Sequence, residues 1–305
     1  MGFRLTDRDI RIIRQVERFR LLRSRDHIVP LFGGSKHILR RLQKLTENKY
    51  LYRLPERENN EQAIYAVGNA GANLLSERFD LPRPKVDYTQ KSKDLGGWFI
   101  DHTLLVADIM VPIMQSARAR DDICYISQEE ILMKWASEER RKQRFQVGEK
   151  PFRWWVSFSH EGSEYRKGVE PDHMFALELP DDRTEVFFLE ADRQNMPVET
   201  SDMDRSSILK KLLQYWESWQ TPPFGDTNLF EEHFGIPNIR TIFALFTGHR
   251  GDKRLNRCIE ANKRFFDGDG TGLFLFANVE TLLEADDILT APLISGRGTE
   301  KLLIK

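Results

Sequence analysis

The most constraining feature of the sequence is a run of three short amphipathic segments near its N-terminus. Each begins with a residue that can cap a helix, namely Thr6, Ser24 and Ser35, and apolar residues then recur at helical spacing. Residues 32–34, Phe-Gly-Gly, separate the second segment from the third, and glycine permits the tight turn needed there. The sequence therefore predicts three helices with a sharp break before the last.

Two alternating segments follow, residues 50–54 and 63–67, on either side of a polar turn. Alternation with a period of two is typical of strands, so these segments predict a β-hairpin. Three helices followed by a hairpin is the order of a winged helix-turn-helix. In that fold the third helix enters the major groove of DNA, and the hairpin lies along a flanking groove or the backbone.

Charge is distributed very unevenly along the chain. Between Arg4 and Arg53, fourteen Lys or Arg residues stand against five Asp or Glu residues, an excess of +9, although the 305-residue chain has a formal net charge of −1. The remainder therefore carries about −10. A basic segment attached to an acidic body favours a polyanionic partner, and double-stranded DNA is the partner that this fold predicts.

The third helix and the first strand of the hairpin supply the predicted DNA contacts. Basic side chains that project away from the apolar stripe of the helix can donate hydrogen bonds to base edges and phosphates. Because neighbouring helix residues are about 100° apart, Arg40 and Arg41 cannot both point into one groove. The predicted DNA-binding residues are Ser35, Lys36, His37, Arg40, Arg41, Lys44 and Arg53.

The length of the chain suits two domains of ordinary size. Pro, Gly and charged residues over 83–97 predict a linker, so we expect a winged helix-turn-helix over residues 1–82 and a second domain over residues 98–305. Strand and helix patterns alternate in the second domain, with a buried strand over 185–190 and an amphipathic helix over 204–219. The predicted fold class is mixed α/β, with helices on the faces of a sheet.

A helical pattern over residues 98–119 opens the second domain. Pro112 predicts a kink or an early end of this helix, and His102 is expected to be packed there rather than to bind a ligand. The two cysteines, Cys124 and Cys258, have no metal-site spacing and are expected to be buried free thiols. The N-terminus lacks the apolar core of a signal peptide, and no uninterrupted apolar run has membrane-spanning length. We therefore expect a cytoplasmic protein without a membrane partner.

Acidic residues stand at strand positions beside the predicted core of the second domain. Two of them, Asp172 and Glu190, could bind Mg²⁺, which polarises a phosphodiester and activates water. Lys211 on the next helix could supply the cation that stabilises developing charge, and it shares a helix face with Tyr215. The predicted catalytic residues are Asp172, Glu190, Asp192 and Lys211, with Asp172 and Glu190 as metal ligands.

Pro171-Asp172 followed by Glu190-Ala191-Asp192 resembles the pattern of PD-(D/E)xK nucleases, in which paired acids and a lysine lie on adjacent strands. The resemblance implies a restriction-endonuclease-like domain. The sequence departs from the pattern because Asp192 occupies the place of the lysine, and an acid there opposes an anionic transition state.

The missing lysine leaves two interpretations of the acids. An active enzyme would take its cation from Lys211 or Arg193. In an inactive domain, Asp172 and Glu190 would instead be structural carboxylates paired with Arg193 or Lys167.

The order of these features over nearly the entire chain resembles the replication-relaxation family of plasmid and mobile-element proteins. The features are the winged helix, the linker, the long helix with His102, the two acidic motifs, and Lys211 with Tyr215. The resemblance implies DNA binding connected with plasmid replication, mobilisation or regulation.

Three functions remain open from the sequence. The first is a DNA-binding protein with an inactive nuclease-like domain, and the second is a Mg²⁺-dependent endonuclease targeted by its winged helix. The third is an adaptor that docks on a replication or relaxase protein. A homodimer would suit a DNA site with two-fold symmetry.

Overall fold

The computed structural model describes residues 3–58, 61–84, 87–220, 225–247, 252–266 and 268–304, without the side chain of Ser35. The chain is mixed α/β, as predicted. It divides into two compact units, of which the first comprises Met1–Gln115 with Arg144–Glu149 and the second Ser116–Gln143 with Lys150–Lys305. The first unit thus extends beyond the predicted DNA-binding domain of residues 1–82.

The first unit consists of helices and a small sheet. Its helices are α1 (Asp7–Phe19), α2 (Val29–Phe32), α3 (Ser35–Glu47), α4 (Asn69–Phe79), α5 (Tyr88–Lys93) and α6 (Gly97–Arg118), of which α6 runs past the end of the unit. A π-helical turn, Ser24–Ile28, precedes α2. Helix α5 lies inside the predicted linker, where Asp87 Oδ1 caps it by accepting from Thr89 N at 2.9 Å.

Three short antiparallel strands complete this unit, β1 (Leu22–Arg23), β2 (Leu51–Arg53) and β3 (Ile64–Val67), in the order β1-β3-β2. The predicted hairpin is therefore present. A two-residue strand such as β1 has too little periodicity to be found in a sequence. The chain order of the described elements from Asp7 to Val67 is α1-β1-α2-α3-β2-β3.

The helix caps expected at two serines differ in the structure. Helix α3 begins at Ser35 itself, and its N-cap residue is Gly34, whose φ of 68° lies in the left-handed region that favours glycine. Ser24 is buried in the π-helical turn, where its backbone N–H donates to Ala63 O at 2.9 Å. The residue before this turn is Arg23, and no side chain caps the turn.

Helix α6 continues through Pro112 to Arg118, so of the two predicted outcomes, a kink or an early end, the early end does not occur. The neighbouring Val111 and Ile113 are buried, and their packing offsets the hydrogen bond that proline removes. By length and composition α6 could cross a membrane, with a mean hydropathy of 1.3, but 61% of that window is buried inside the protein. Such burial is typical of the core helix of a globular domain.

The second unit is built on a seven-stranded sheet in the order β12-β11-β10-β9-β8-β7-β4. Its strands are β4 (Cys124–Ser127), β7 (His173–Glu178), β8 (Thr184–Asp192), β9 (Arg240–Leu245), β10 (Phe274–Asn278), β11 (Leu293–Ser295) and β12 (Glu300–Lys301). Strands β5 (Trp154–His160) and β6 (Ser163–Val169) form a separate antiparallel hairpin. The helices of the second unit are α7 (Gln128–Lys134), α8 (Glu138–Gln143), α9 (Ile208–Trp219), α10 (Leu229–Phe234), α11 (Lys253–Phe265) and α12 (Val279–Glu284).

Strands β8, β9 and β10 are parallel to one another, whereas β7 is antiparallel to β8. Helix α9 lies between β8 and β9 in the chain and packs Tyr215 against Phe188 of β8, with ring centroids 5.5 Å apart. Of the two cysteines, Cys258 is buried as expected, whereas Cys124 is exposed because it is the first residue of the terminal strand β4.

Candidate functional site

The outer side of α3 carries basic residues that the fold leaves exposed. Its apolar stripe, formed by Ile38, Leu42 and Leu45, is almost fully buried. Lys36, Arg40 and Lys44, which are four residues apart, share the opposite side with His37, and all four side chains are exposed. We call these four residues the α3 basic face. Their exposure agrees with the prediction for this helix.

Arg41 has a different environment from the α3 basic face. Its Nε donates to Asp9 Oδ1 at 2.6 Å, and its guanidinium lies 4.6 Å from the ring centroid of Phe3. Burial alone would raise the pKa of Asp9, but the hydrogen bonds from Arg41 and Thr6 outweigh it and lower the pKa. The structure thus places Arg41 in an ion pair that joins α3 to α1.

Arg53, the predicted contact on β2, is exposed and forms an ion pair with Glu56. It borders a cleft of about 800 Å³ between α3 and the β2–β3 hairpin, whose lining includes Gln43, Glu47 and Tyr65. The side chain of Ser35, the remaining predicted DNA contact, lies outside the described part of the structure.

The second group of predicted residues lies where β7 begins and β8 ends. Because His173 is paired with Leu189, Asp172 stands beside Glu190 across the two strands. Asp172 N donates to Leu189 O at 3.0 Å, and Ala191 N donates to Asp172 Oδ2 at 2.8 Å. The backbone of β8 therefore fixes the position of the Asp172 carboxylate.

Glu190 is only 2% exposed, and side chains of α9 contact both of its carboxylate oxygens. The Lys211 ammonium contacts Oε2, and the Tyr215 hydroxyl donates to Oε1 at 2.6 Å. Lys211 and Tyr215 reach the same carboxylate because they are four residues apart on one helix. The structure therefore brings Asp172, Glu190 and Lys211 together, and we call them, with Tyr215, the Glu190 cluster.

Burial dominates the electrostatics of the Glu190 cluster. It raises the pKa of Glu190 to about 7, with Lys211 opposing the shift and Asp172 adding to it. Burial would lower the pKa of Lys211, but the carboxylates of Glu190 and Asp172 outweigh it and raise that pKa. The pKa of Tyr215 is raised well above its ordinary value by burial and by Glu190. The tyrosine hydroxyl therefore acts as a hydrogen-bond donor to the carboxylate.

Asp192 lies on the same strand but has a different partner. The guanidinium of Arg254 on α11 holds its Oδ2, with Nε at 2.9 Å, and also donates to Met196 O at 2.7 Å. Asp192 is 3% exposed, so this ion pair neutralises a buried carboxylate. No spacing in the sequence connects Asp192 with Arg254, and sequence analysis missed this arginine.

The donor set of the Glu190 cluster does not fit a bound Mg²⁺ ion in this arrangement. Both oxygens of Glu190 are engaged by cationic or hydroxyl donors, and Oδ2 of Asp172 accepts from the backbone. Across the described ranges, no three His, Cys, Asp or Glu side chains form a group that could hold a metal ion. Magnesium requires several free oxygen ligands in octahedral geometry.

His102 and Lys167, which the sequence analysis also considered, contact other side chains of the protein. His102 stacks on Trp98 with ring centroids 5.5 Å apart, which agrees with its expected packing role. Lys167, offered as a partner for the acids in an inactive domain, pairs with Asp204 instead. Lys211 is the cation that neutralises Glu190.

A family model described as replication-relaxation matches residues 13–231, which is most of the chain. The match includes α3 and the whole Glu190 cluster, and it ends before β9 and Arg254. No curated protein and no solved structure matches the chain.

Proposed function

Because the chain belongs to the replication-relaxation family, we propose that it acts in the replication of a plasmid or mobile element by binding double-stranded DNA through α3. The observation that carries this proposal is the α3 basic face, presented outward in the element order of a winged helix-turn-helix. Replication or relaxase proteins are the expected protein partners.

The dimensions of α3 support this proposal. Lys36 and Lys44 are eight residues apart, which is about 12 Å along the helix axis and close to the width of the major groove. The buried stripe of Ile38, Leu42 and Leu45 holds the helix to the rest of the unit, so the basic side remains available. Arg41 takes no part in DNA binding in this proposal, because its guanidinium is bound to Asp9.

The proposed role of the second unit is non-catalytic. Its sheet and the meeting of Asp172, Glu190 and Lys211 support descent from a nuclease-like fold. The engaged oxygens of Glu190 and the ion pair of Asp192 with Arg254 argue against a functional Mg²⁺ site. We therefore propose a nuclease-like domain that supports assembly and does not cleave DNA.

Duplex binding can be tested with the combined variant Lys36→Ala, Arg40→Ala and Lys44→Ala. Each phosphate contact contributes about 0.9 to the slope of log affinity against log salt, so the slope should decrease by about 2.7 if all three contact phosphates. A matched control removes three exposed lysines of other helices, Lys91, Lys93 and Lys142, and should leave the slope within about 1. An unchanged slope in the α3 variant would refute the assignment.

The alternative function, a Mg²⁺-dependent endonuclease, rests on the same Asp172, Glu190 and Lys211. It requires Lys211 to leave Glu190 so that an oxygen becomes free for the metal. Supercoiled plasmid incubated with Mg²⁺ or Mn²⁺ should remain uncut by the wild-type protein and by Asp172→Ala alike. Nicking by the wild type that the Asp172→Ala variant lacks would establish the enzyme and refute the non-catalytic role.

A further inference from the structure

The β5–β6 hairpin of the second unit has one buried face and one exposed face. Trp154, Val156 and Phe158 alternate along β5 on the buried side. Trp154 Nε1 donates to Ser218 Oγ of α9 at 2.9 Å, which fixes the hairpin to that helix. The inner face thus anchors the hairpin, whereas the outward residues of β5, Trp155, Ser157 and Ser159, are exposed in the described structure.

The outer face carries a large aromatic side chain between two arginines. Trp155 is 54% exposed, and the guanidinium carbons of Arg153 and Arg166 lie 5.3 Å and 5.9 Å from its ring centroid. Within the described part of the chain, neither arginine forms an ion pair with a carboxylate. Their positive charges are therefore available to an external anion.

Gly168 explains how Arg153 comes to lie beside the indole. Gly168 is paired with Trp155 across the two strands. A Cβ atom at this position would lie 2.8 Å from Nε of Arg153 and 2.9 Å from its terminal nitrogen, closer than real Cβ contacts. Any larger residue would displace the guanidinium, so the glycine permits the pairing of Arg153 with the indole.

We propose that this outer face binds single-stranded DNA, with a base stacked on the indole of Trp155 in place of a guanidinium group that now lies over the ring. Arg153 and Arg166 then bind the adjacent phosphates. Aromatic side chains combined with basic ones are the means by which proteins bind single strands without sequence readout. In a duplex the faces of the bases are covered by their neighbours, so an exposed indole on a rigid hairpin is better suited to an unpaired base. Ser157, exposed on the same face, adds a hydroxyl group beside Trp155, whereas the hydroxyl of Ser159 donates to the carboxylate of Glu164 and marks the acidic end of this face.

The hairpin also leads directly to the Glu190 cluster. Strand β6 ends at Val169, three residues before Asp172. Gln214 of α9, the helix that carries Lys211, donates to Gly168 O at 3.3 Å. All residues of this proposal belong to the second unit, so the proposal does not depend on DNA binding by α3.

The test measures binding of a fluorescently labelled oligothymidylate to the full chain by anisotropy. It is made in the background of the combined Lys36, Arg40 and Lys44 alanine variant, so that failure of the α3 proposal would be seen separately with duplex DNA. Stacking of one base predicts a roughly ten- to hundredfold loss of affinity in Trp155→Ala. Trp98→Ala, which removes a tryptophan that is 61% exposed in the first unit, is the matched control and should change affinity less than twofold.

Two further variants keep the test decisive if Trp155→Ala disturbs folding, which thermal unfolding would reveal. Trp155→Phe should retain most of the affinity because it keeps an aromatic face. The double change of Arg153 and Arg166 to alanine should lower the salt slope by about 1.4, at about 0.7 per phosphate of a single strand. The same change at Arg183 and Arg205, two exposed arginines elsewhere in this unit, should lower it by less than about 0.5.

Two results would overturn the proposal. The first is equal affinity of the Trp155→Ala and Trp98→Ala variants for the oligothymidylate. The second is a loss on Trp155→Ala that is as large for duplex DNA as for the single strand, since it would indicate backbone contacts without base stacking.

Discussion

The α3 basic face and the Glu190 cluster use the same kind of side chain in opposite ways. Lys44 is exposed on α3, whereas Lys211 is half-buried, with its ammonium against the buried carboxylate of Glu190 and near Asp172. An exposed lysine can release its counterions and bind DNA phosphates, whereas a lysine paired with a buried carboxylate remains bound to it because the carboxylate needs a compensating charge. The environment of a basic residue in this chain, and not its residue type, therefore decides whether it is available to bind DNA.

The largest expected effect comes from breaking the ion pair between Lys211 and the buried Glu190. Lys211→Met leaves Glu190 without its cation and should lower the free energy of unfolding by about 3 kcal/mol, measured by urea denaturation. Lys210→Met is the matched control, because the neighbouring Lys210 is half-buried like Lys211 but pairs with no buried carboxylate among the described residues. Its cost should stay below about 1 kcal/mol. Equal losses in the two variants would show that the pair does not hold the site together.

The buried Glu190 should also make the stability of the protein depend on pH. Because the pKa of Glu190 is raised to about 7, the folded protein keeps a proton that the unfolded chain releases near its ordinary pKa of 4.5. The group's contribution is therefore present at low pH and is lost as the pH rises, by about 2 kcal/mol between about pH 5 and pH 7. Urea denaturation at several pH values should show this decrease in the wild type, and Glu190→Gln should abolish it.

The smallest expected stability effect separates two adjacent arginines of α3. Arg41→Ala should cost roughly 1.5 kcal/mol of stability, because Asp9 is fully buried and, within the described residues, would keep its hydrogen bonds to Thr6 alone. Arg40→Ala should leave stability unchanged within about 0.5 kcal/mol and weaken duplex binding severalfold. Urea denaturation and DNA titration of both variants check that Arg41 stabilises the fold and that Arg40 binds DNA. A loss of stability in Arg40→Ala and a loss of DNA affinity in Arg41→Ala would contradict this assignment.

The sequence predicted the elements of this protein better than the partners of its charged residues. Helical spacing located α3 and its exposed Lys36, and the i, i+4 relation of Lys211 and Tyr215 anticipated their shared face. Local periodicity determines such features. The pairing of Asp192 with Arg254, 62 residues apart, depends on how α11 packs on the sheet, which no local pattern encodes. The ion pair of Arg41 with Asp9 was missed for the same reason.

The parallel pairing of β8 with β9 has a consequence for the limits of the family match. The match ends at residue 231, yet the partner that covers one side of β8 along Phe187–Asp192 is β9, which begins at Arg240. A chain cut at residue 231 would leave the backbone N–H and C=O groups of β8 as an open sheet edge beside wholly buried aromatic residues. Such edges recruit strands from other molecules, so the truncated protein should aggregate. The smallest autonomous form of the second unit therefore extends beyond the portion that identifies the family.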